Sequence, residues 1–200
     1  DNMPLAAELK ADFEWAKSIA VGPGLSMNGV AAELTRCVLE REDKVRILDA
    51  DALNIIAAEH IDYKGSSEGK IIITPHIMEM SRLTGKTVAD IKEHMIESAK
   101  EYAIQHSCIC ILKDARTVVT DGQKVYINCT GNDGMSTGGC GDVLTGLIAG
   151  MTAMGLDAFE AACLSVYVHG KAGDYAASGK GRAGMTAADI SEAIAYVLKR

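Results

Sequence analysis

The segment GNDGMSTGGCGDVLTG, residues 131–146, places six glycines in sixteen residues directly before an apolar run. From Asp142 onward, apolar residues recur at helical spacing, and Gly155 follows them as a stop. The pattern predicts a helix whose first turn is the cluster at residues 138–141. Such a turn carries unpaired N–H groups and the positive end of the helix dipole, and glycines let an oxyanion approach the backbone closely. The segment therefore predicts a phosphate-binding helix N-terminus.

Asp142 is the carboxylate beside this glycine cluster. One interpretation is a capping acid that is stabilised by the helix dipole. The other is a base that removes a proton from a substrate hydroxyl next to the bound phosphate. The residues alone leave both interpretations open. The sequence contains no Walker motif, G-x-x-x-x-G-K-[ST], and residues 22–29 do not have the glycine spacing of a dinucleotide fingerprint.

Short apolar runs alternate with longer amphipathic segments along the chain. The runs are typical of strands buried on both faces of a parallel sheet: residues 18–21, 45–48, 71–73 and 109–112. Helical patterns cover residues 31–42, 87–106 and 158–176, and Thr186-x-x-Asp189 is a start signal for a last helix. Residues 117–120 and 124–129, joined through Asp121-Gly122, predict an antiparallel hairpin. Residues 1–8 show no obvious starting element. We expect a three-layer α/β/α fold with a mainly parallel central sheet and a late antiparallel hairpin.

Composition narrows the class of protein. With 200 residues, of which 48% are hydrophobic, the chain is large enough for one globular domain over residues 1–200. Its apolar runs are far shorter than the roughly 20 residues that cross a bilayer, and no secretory segment opens it, which predicts a cytoplasmic protein without membrane contact. A net charge of −7 argues against nucleic-acid binding. The six cysteines form no C-x-x-C pair and are expected to be free thiols, with disulfides or zinc as the alternatives.

Six motifs follow one another in a specific order. They are Gly22-Pro-Gly-Leu25, Asp49-Ala-Asp-Ala-Leu-Asn54, Thr74-Pro-His-x-x-Glu79, Leu112-Lys-x-Ala-x-Thr117, Asn132-x-Gly-Met-x-Thr-Gly-Gly-x-Gly-Asp-Val-Leu-Thr-Gly146 and His169-Gly-x-Ala-Gly-Asp174. Together they resemble the NAD(P)H-hydrate dehydratase family, which has the ribokinase-like fold. The resemblance covers essentially Ile19 to the end of the chain. The motif at residues 132–146 is highly specific, whereas Gly-Pro-Gly or Asp-Ala-Asp alone would be weak.

The resemblance implies repair of damaged nicotinamide cofactor. The 6-hydrated forms, (S)-NADHX and (S)-NADPHX, lose water and return to NADH and NADPH, driven by ADP hydrolysis in bacterial-type members and by ATP in eukaryotic ones. The glycine segment here is closer to the bacterial type, which favours ADP as co-substrate, with Mg²⁺. The resemblance also suggests a homo-oligomer, as a tetramer, and an N-terminal segment or fused epimerase domain beyond this chain.

The family's site residues transfer onto this sequence motif by motif. Against the substrate the resemblance places Gly22, Gly24, His76 and Asp142, with Asp142 as the catalytic base. Against the nucleotide it places Lys113, Asp114, Ala115, Arg116 and Thr117 with Gly138, Gly139, Cys140 and Gly141. Glu79 takes the position of an acid that organises Mg²⁺ through water. Alternative interpretations are a hydrogen-bonded strand-end residue for His76 and a solvated charge for Lys113, while for His169 we favour a packing or supporting role.

Four departures from the family pattern are visible. Ile77-Met78 stands in place of the usual Pro-Gly, Asp133 in place of Pro, Asp114 in place of Gly and Cys140 in place of Thr. Asp114 adds negative charge beside the nucleotide, which affects affinity. Cys140 at a helix N-terminus leads to the hypothesis of a lowered thiol pKa and sensitivity to oxidation.

Length is the largest departure, because family members carry a further βα-rich part upstream of Ile19. Residues 1–200 are therefore expected to form about the C-terminal two-thirds or more of a ribokinase-like domain. Two rival functions stay open. One is a kinase of the same fold acting on a thiazole or pyrimidine alcohol. The other is a nucleotide-binding fragment without catalysis.

Overall fold

A six-stranded sheet, in the order β1-β2-β3-β4-β5-β6, organises the molecule. The computed structural model describes Ala7, residues 9–66 and residues 70–199. The strands are β1 (Ser18–Val21), β2 (Val45–Leu48), β3 (Ile71–Ile73), β4 (Ile109–Leu112), β5 (Val118–Thr120) and β6 (Val125–Ile127). Strands β1 to β4 pair in parallel, and β4, β5 and β6 pair antiparallel. The parallel sheet and the late hairpin predicted from the sequence are thus confirmed, and residues 1–8 lie outside the described residues apart from Ala7.

Helices connect and cover the strands. They are α1 (Lys10–Trp15), α2 (Gly29–Leu39), α3 (Ala50–Ala58), α4 (Ile77–Thr84), α5 (Val88–Glu93), α6 (Met95–His106), α7 (Cys140–Ala153), α8 (Ala158–Lys180) and α9 (Ala187–Val197), with a 3₁₀ turn at Asp133–Met135. The prediction of one helix over residues 87–106 is wrong, because His94 leaves the helical region at φ −124° and ψ 48° and separates α5 from α6. The apolar spacing continues across this break, so the periodicity could not reveal it. Helices α1, α3 and α4 were not predicted; each is short, and α3 and α4 begin close behind a strand.

The two faces of the sheet carry separate hydrophobic layers. Because side chains alternate along a strand, Leu48 and Ile73 pack among helices α2 to α6, whereas Ile47 and Ile72 pack against α7 and α8. Ile47, Leu48, Ile72 and Ile73 are all fully buried. This is the three-layer α/β/α arrangement expected from the sequence. Helix α9 packs on the outer side of α7 and α8 through Ile190 and Ala193.

The carboxyl ends of the parallel strands meet at one edge of the sheet. Gly22 follows β1, Asp49 follows β2, Thr74 follows β3 and Lys113 follows β4. In α/β sheets of this kind, ligands bind outside the carboxyl ends of the strands. The same edge receives the first turn of α7, so the fold brings the glycine segment to these strand ends. Within the described residues, none of the helices has both the length and the apolar character that a membrane crossing requires.

Candidate active site

The first turn of α7 presents its backbone to a cavity. Gly139 precedes the helix in the left-handed region at φ 88°, which favours glycine, and as a glycine it has no side chain that could cap the turn. Gly141 and Asp142, in this turn, line the cavity. The Cys140 amide donates to the Thr137 carbonyl oxygen at 3.4 Å. The amides of Gly141 and Asp142 have no partner within the helix, so they remain available to an anion. The helix start predicted from the glycine segment is therefore present, and the exposed Asp142 lies in its first turn.

The His76 side chain caps helix α4. Its Nδ1 accepts hydrogen bonds from the amides of Met78 and Glu79, at 3.1 and 3.2 Å, and Glu79 Oε2 accepts one from the His76 amide at 2.8 Å. An accepting Nδ1 leaves the proton of the neutral ring on Nε2, which lies 3.4 Å from Glu79 Oε1. Burial lowers the His76 pKa and Lys113 lowers it further, which favours the neutral ring. The same reciprocal cap fixes Glu79, whose pKa is raised by burial.

An ion pair between a partly buried lysine and a buried aspartate lies between the strand ends and α7. Lys113 Nζ donates to Asp49 Oδ1 at 2.9 Å, and Thr145 Oγ1 donates to Asp49 Oδ2 at 2.7 Å. Burial by itself would raise the pKa of Asp49, but Lys113 and the Thr145 hydroxyl outweigh it and hold that pKa below its ordinary value. Asp49 and Thr145 were not predicted as site residues. The position of Asp49 directly behind a strand, at the same sheet edge as Lys113, is the signal in the sequence that could have found it.

The segment before the glycine cluster is tied to α8. Asp174 Oδ1 accepts from Asn132 Nδ2 at 3.0 Å, and its Oδ2 accepts from the Gly131 amide at 3.1 Å. Asn132 Oδ1 accepts in turn from the Gly134 amide at 3.1 Å. The last residue of the motif at residues 169–174 therefore fixes the start of the motif at residues 132–146. This contact explains why the two motifs occur together.

His169 lies inside the wall of the same cavity. Its side chain is buried, and burial lowers its pKa to about 4, so the ring is neutral near neutral pH. Within the described part of the chain, Nε2 has no hydrogen-bond partner. Its burial agrees with the packing or supporting role that we favoured from the sequence.

Cys140 turns its thiol inward, into the cluster that contains Ala172 and Ile190. Burial raises its pKa, the charge of Asp142 raises it further, and a hydrogen bond with the Thr137 backbone lowers it less than these raise it. The hypothesis of a lowered pKa at Cys140 is therefore wrong, because the covering helices remove water from the thiol. All six cysteines are free thiols, and Cys37, Cys108, Cys110 and Cys140 are buried.

The cavity that these elements enclose measures about 660 Å³. Of the residues named from the sequence, it brings together His76, Glu79, Lys113, Asp114, Ala115, Arg116, Thr117, Cys140, Gly141 and Asp142. The lining does not include Gly22, Gly24, Gly138 or Gly139. Gly22 is instead packed on the end of β2, since a β-carbon there would stand 1.8 Å from the Asp49 carbonyl oxygen. Gly138 has open space around it, and Gly139 faces Ala187.

Comparison with known proteins gives a consistent set of similarities. The family model described as NAD(P)H-hydrate dehydratase matches residues 2–196. The bifunctional NAD(P)H-hydrate repair enzyme of Moorella thermoacetica is 45% identical over 183 residues, which cover 90% of this chain and 34% of that protein. The ADP-dependent (S)-NAD(P)H-hydrate dehydratase of Neisseria meningitidis is 33% identical over 190 residues, 93% of this chain and 63% of that protein.

Among solved structures, ADP/ATP-dependent NAD(P)H-hydrate dehydratase from Bacillus subtilis, co-crystallised with ATP/Mg²⁺, matches with a TM-score of 0.82 at 31% identity. The match covers 93% of this chain and 67% of that one. The chain spans about a third of the length of the bifunctional relative from Moorella and just under two-thirds of the relative from Neisseria.

Proposed function

The chain belongs to the NAD(P)H-hydrate dehydratase family, and from this we propose that it repairs nicotinamide cofactors by dehydrating (S)-NADHX and (S)-NADPHX to NADH and NADPH. The dehydration is coupled to hydrolysis of ADP to AMP and phosphate. The enzyme class is therefore a hydro-lyase that uses the phosphoryl-binding machinery of a kinase. The relative from Neisseria, which is named as ADP-dependent, supports the choice of nucleotide.

The observation that carries this proposal is the meeting of three groups on one cavity. Gly141 in the first turn of α7, Asp142 and Lys113 all belong to its lining, and they carry a backbone amide, a carboxylate and an ammonium. Positive charge and free amides can bind the terminal phosphate of a nucleotide. A carboxylate in the same cavity can deprotonate the alcohol that receives the phosphoryl group. A purely structural helix start would not need all three.

The chemistry follows from the poor leaving ability of hydroxide. We propose that Asp142 removes the proton of the ring hydroxyl. The hydroxyl oxygen attacks the terminal phosphorus of ADP, and the bond between that phosphorus and AMP breaks. The ring nitrogen then pushes out phosphate: its lone pair forms a C=N bond as the C–O bond breaks. Loss of a proton from the neighbouring ring carbon restores the dihydronicotinamide. Of the amides predicted at residues 138–141 to stabilise the charge on the moving phosphoryl group, we propose the Gly141 amide for this role, because Gly138 and Gly139 lie outside the cavity lining.

The residues of this site fit an Mg²⁺ ion that binds together with the nucleotide, and not one that the protein binds alone. The described residues contain no group of three or more His, Cys, Asp or Glu side chains that could hold a metal. Magnesium is commonly held by one or two carboxylates with substrate phosphates and water, and Glu79 and Asp142 line the cavity. When bound, the ion would neutralise phosphate charge. Glu79, whose carboxylate is fixed by the His76 amide, is the residue that we propose to hold it through water.

The remaining assignments extend the proposal. Residues 113–117 and Gly141 bind the nucleotide, and His76 lies on the side of the hydrated ring. Residues 1–200 form about the C-terminal two-thirds or more of the family domain, a proportion supported by the 63% coverage of the relative from Neisseria. A cytoplasmic location, a homotetramer and an additional N-terminal segment or epimerase domain complete the proposal.

The decisive experiment supplies hydrated NADH, prepared in acid, and follows the return of dihydronicotinamide absorbance. Separate reactions contain ADP, ATP or no nucleotide, each with Mg²⁺ or with a chelator. Recovery that requires ADP and Mg²⁺ and releases one phosphate per restored NADH is the expected result. Recovery with ATP alone would overturn the choice of ADP.

Two other results would favour the rival functions. Nucleotide consumption with thiazole or pyrimidine alcohols, and none with hydrated NADH, would identify a small-molecule kinase. Stoichiometric ADP binding without turnover of any of these compounds would identify a nucleotide-binding fragment. Hydrated NADPH in a parallel series measures which of the two cofactors is preferred.

A further inference from the structure

The Asp49 carboxylate is almost completely buried, with 2% of its side chain exposed. Burying a carboxylate is costly unless its oxygens are paired, and here each oxygen accepts a separate hydrogen bond, from Lys113 and from Thr145. The three residues come from the end of β2, the end of β4 and the inner side of α7. The carboxylate thus joins three elements that meet at the edge of the cavity.

The Lys113 ammonium occupies an unusual place for a cation. A β-carbon on Gly141 would stand 3.4 Å from Lys113 Nζ and 3.8 Å from Asp49 Oδ2. The ammonium therefore lies against the first turn of α7, where the positive end of the helix dipole disfavours it. Asp49 offsets this repulsion. The combined positive field of the ammonium and the helix is then available to an anion that enters from the cavity.

Lys113 retains donor capacity toward that anion. An ammonium has three N–H donors, and Asp49 accepts one of them. The side chain is 21% exposed and lines the cavity. Burial is the main cause of the lowered pKa of His76 and of His169, and the charge of Lys113 lowers both further. Lys113 is thus a fixed positive charge at the centre of the site rather than a solvated strand-end residue.

We propose that Asp49 and Thr145 are positioning residues that hold the Lys113 ammonium beside the Gly141 amide, so that both contact the same phosphate group of the bound nucleotide. This inference rests on the proposed function, in that it takes the cavity as the nucleotide site. Thr145 lies one helical turn after Gly141 on α7. The carboxylate therefore links the ammonium to the helix whose amides bind the anion. This link keeps the distance between the Lys113 ammonium and the Gly141 amide constant.

A double-mutant cycle on ADP affinity, measured by calorimetry, separates positioning from general support. Asp49→Asn keeps the shape of the side chain and removes its charge, and ADP binding is expected to weaken roughly tenfold, within the range of coupling between contacting residues. In a Lys113→Met background the same substitution should change ADP affinity little, because the group that it positions is gone. Thr145→Val should weaken binding several-fold, while Thr145→Ser, which keeps the hydroxyl, restores it.

Equal losses from Asp49→Asn in both backgrounds would overturn the proposal, as would a folded Asp49→Asn protein that binds ADP at least as tightly as the unaltered protein. If Asp49→Asn does not fold, the comparison of Thr145→Val with Thr145→Ser decides, and equal affinity of these two overturns it. Absence of nucleotide binding by the unaltered protein would instead refute the proposed function. The positioning part of the inference is then decided by NMR of the Lys113 ammonium, for which we expect a slowly exchanging signal in the unaltered protein and in Thr145→Ser that vanishes in Thr145→Val; equal behaviour of these two variants overturns it.

Discussion

Gly170 on helix α8 lies so close to Thr130 that a β-carbon at position 170 would come within 2.1 Å of Thr130 Oγ1. That hydroxyl also donates to the Tyr167 carbonyl at 3.0 Å. The strand end that leads into the glycine segment is therefore seated directly on the backbone of α8. No side chain at position 170 fits between α8 and Thr130. Gly170 is therefore required for this close approach of two backbone segments and not for a turn.

We predict that Gly170→Ala displaces the segment around Thr130 and lowers the free energy of unfolding by about 1–3 kcal/mol, the usual cost of overpacking. The midpoint of thermal unfolding measures this loss. Gly179→Ala is the matched control in the same helix, because a β-carbon there meets nothing within 4 Å. The control should be neutral or more stable by up to about 1 kcal/mol, since alanine is the better helix former. Equal stability of the two variants would contradict the close approach.

Asp142→Asn tests the proposed base. Because the amide cannot take the proton of the ring hydroxyl, kcat is expected to fall by roughly 10²- to 10⁴-fold. ADP affinity should be kept or increased, since a negative charge near the phosphates is removed. Rates of dihydronicotinamide recovery and calorimetric binding measure the two quantities. Asp43→Asn, which changes an exposed acid outside the cavity lining, serves as the control and should leave both unchanged. If Asp142→Asn turns over nearly as fast as the unaltered protein, Asp142 is only a capping acid and not the base.

The buried ring of His169 predicts a loss of stability in acid. Its pKa is about 4 in the folded protein and near the ordinary 6.5 when unfolded. As the pH falls from about 6.5 toward 4, the unfolded state gains a proton that the folded state does not bind, so folding weakens across this window. For this ring alone, the linkage relation gives a loss on the order of 2 kcal/mol between pH 7.5 and pH 5.

Urea unfolding at a series of pH values, compared between the unaltered protein and His169→Asn, isolates this contribution because all other titrating groups are shared. The difference in unfolding free energy should be constant above pH 7, where it reflects packing alone, and should shift in favour of His169→Asn as the pH falls toward 4. His60→Asn, at an exposed position, should show the pH dependence of the unaltered protein. Turnover of His169→Asn is expected to change little. A pH-independent difference would mean that the ring is not a neutral buried group.

Thiol labelling checks the inward orientation of Cys140. Burial raises its pKa, and that of Cys163 to about 11, whereas Cys129 is exposed. Since the thiolate is the reactive form, an alkylating reagent at neutral pH should modify Cys129 first. Mass spectrometry of the native protein should find one rapidly labelled cysteine, and Cys129→Ser should remove it. Rapid labelling of Cys140 would show that the first turn of α7 is open to solvent.

Local patterns predicted much of the fold. Continuous apolar runs identified the four parallel strands, and glycines followed by helical spacing located the start of α7, because these signals lie within a few neighbouring residues. The triad of Asp49, Lys113 and Thr145 has no such signal. Lys113 and Thr145 lie 64 and 96 positions after Asp49 along the chain, and the three residues meet only through the strand order and the packing of α7 on the sheet.

The error at Cys140 has a similar cause. The sequence shows that the thiol lies at a helix N-terminus, where the dipole favours a thiolate. It does not show that α8 and α9 cover this turn, and their covering raises the pKa through loss of water. Long-range burial therefore decides the chemistry of residues whose local context points the other way.

Helix α7 buries Leu144 and Ile148 in the layer beneath the sheet while its first turn faces the cavity. The same helix therefore packs in the hydrophobic layer and carries the amides that we propose to bind the anion. A shift of this helix by even a fraction of a turn would misalign the amides, Asp142 and Thr145 together. Ligand affinity and the packing of the hydrophobic layer therefore depend on the same helix. When heating loosens that packing, phosphate affinity should fall first.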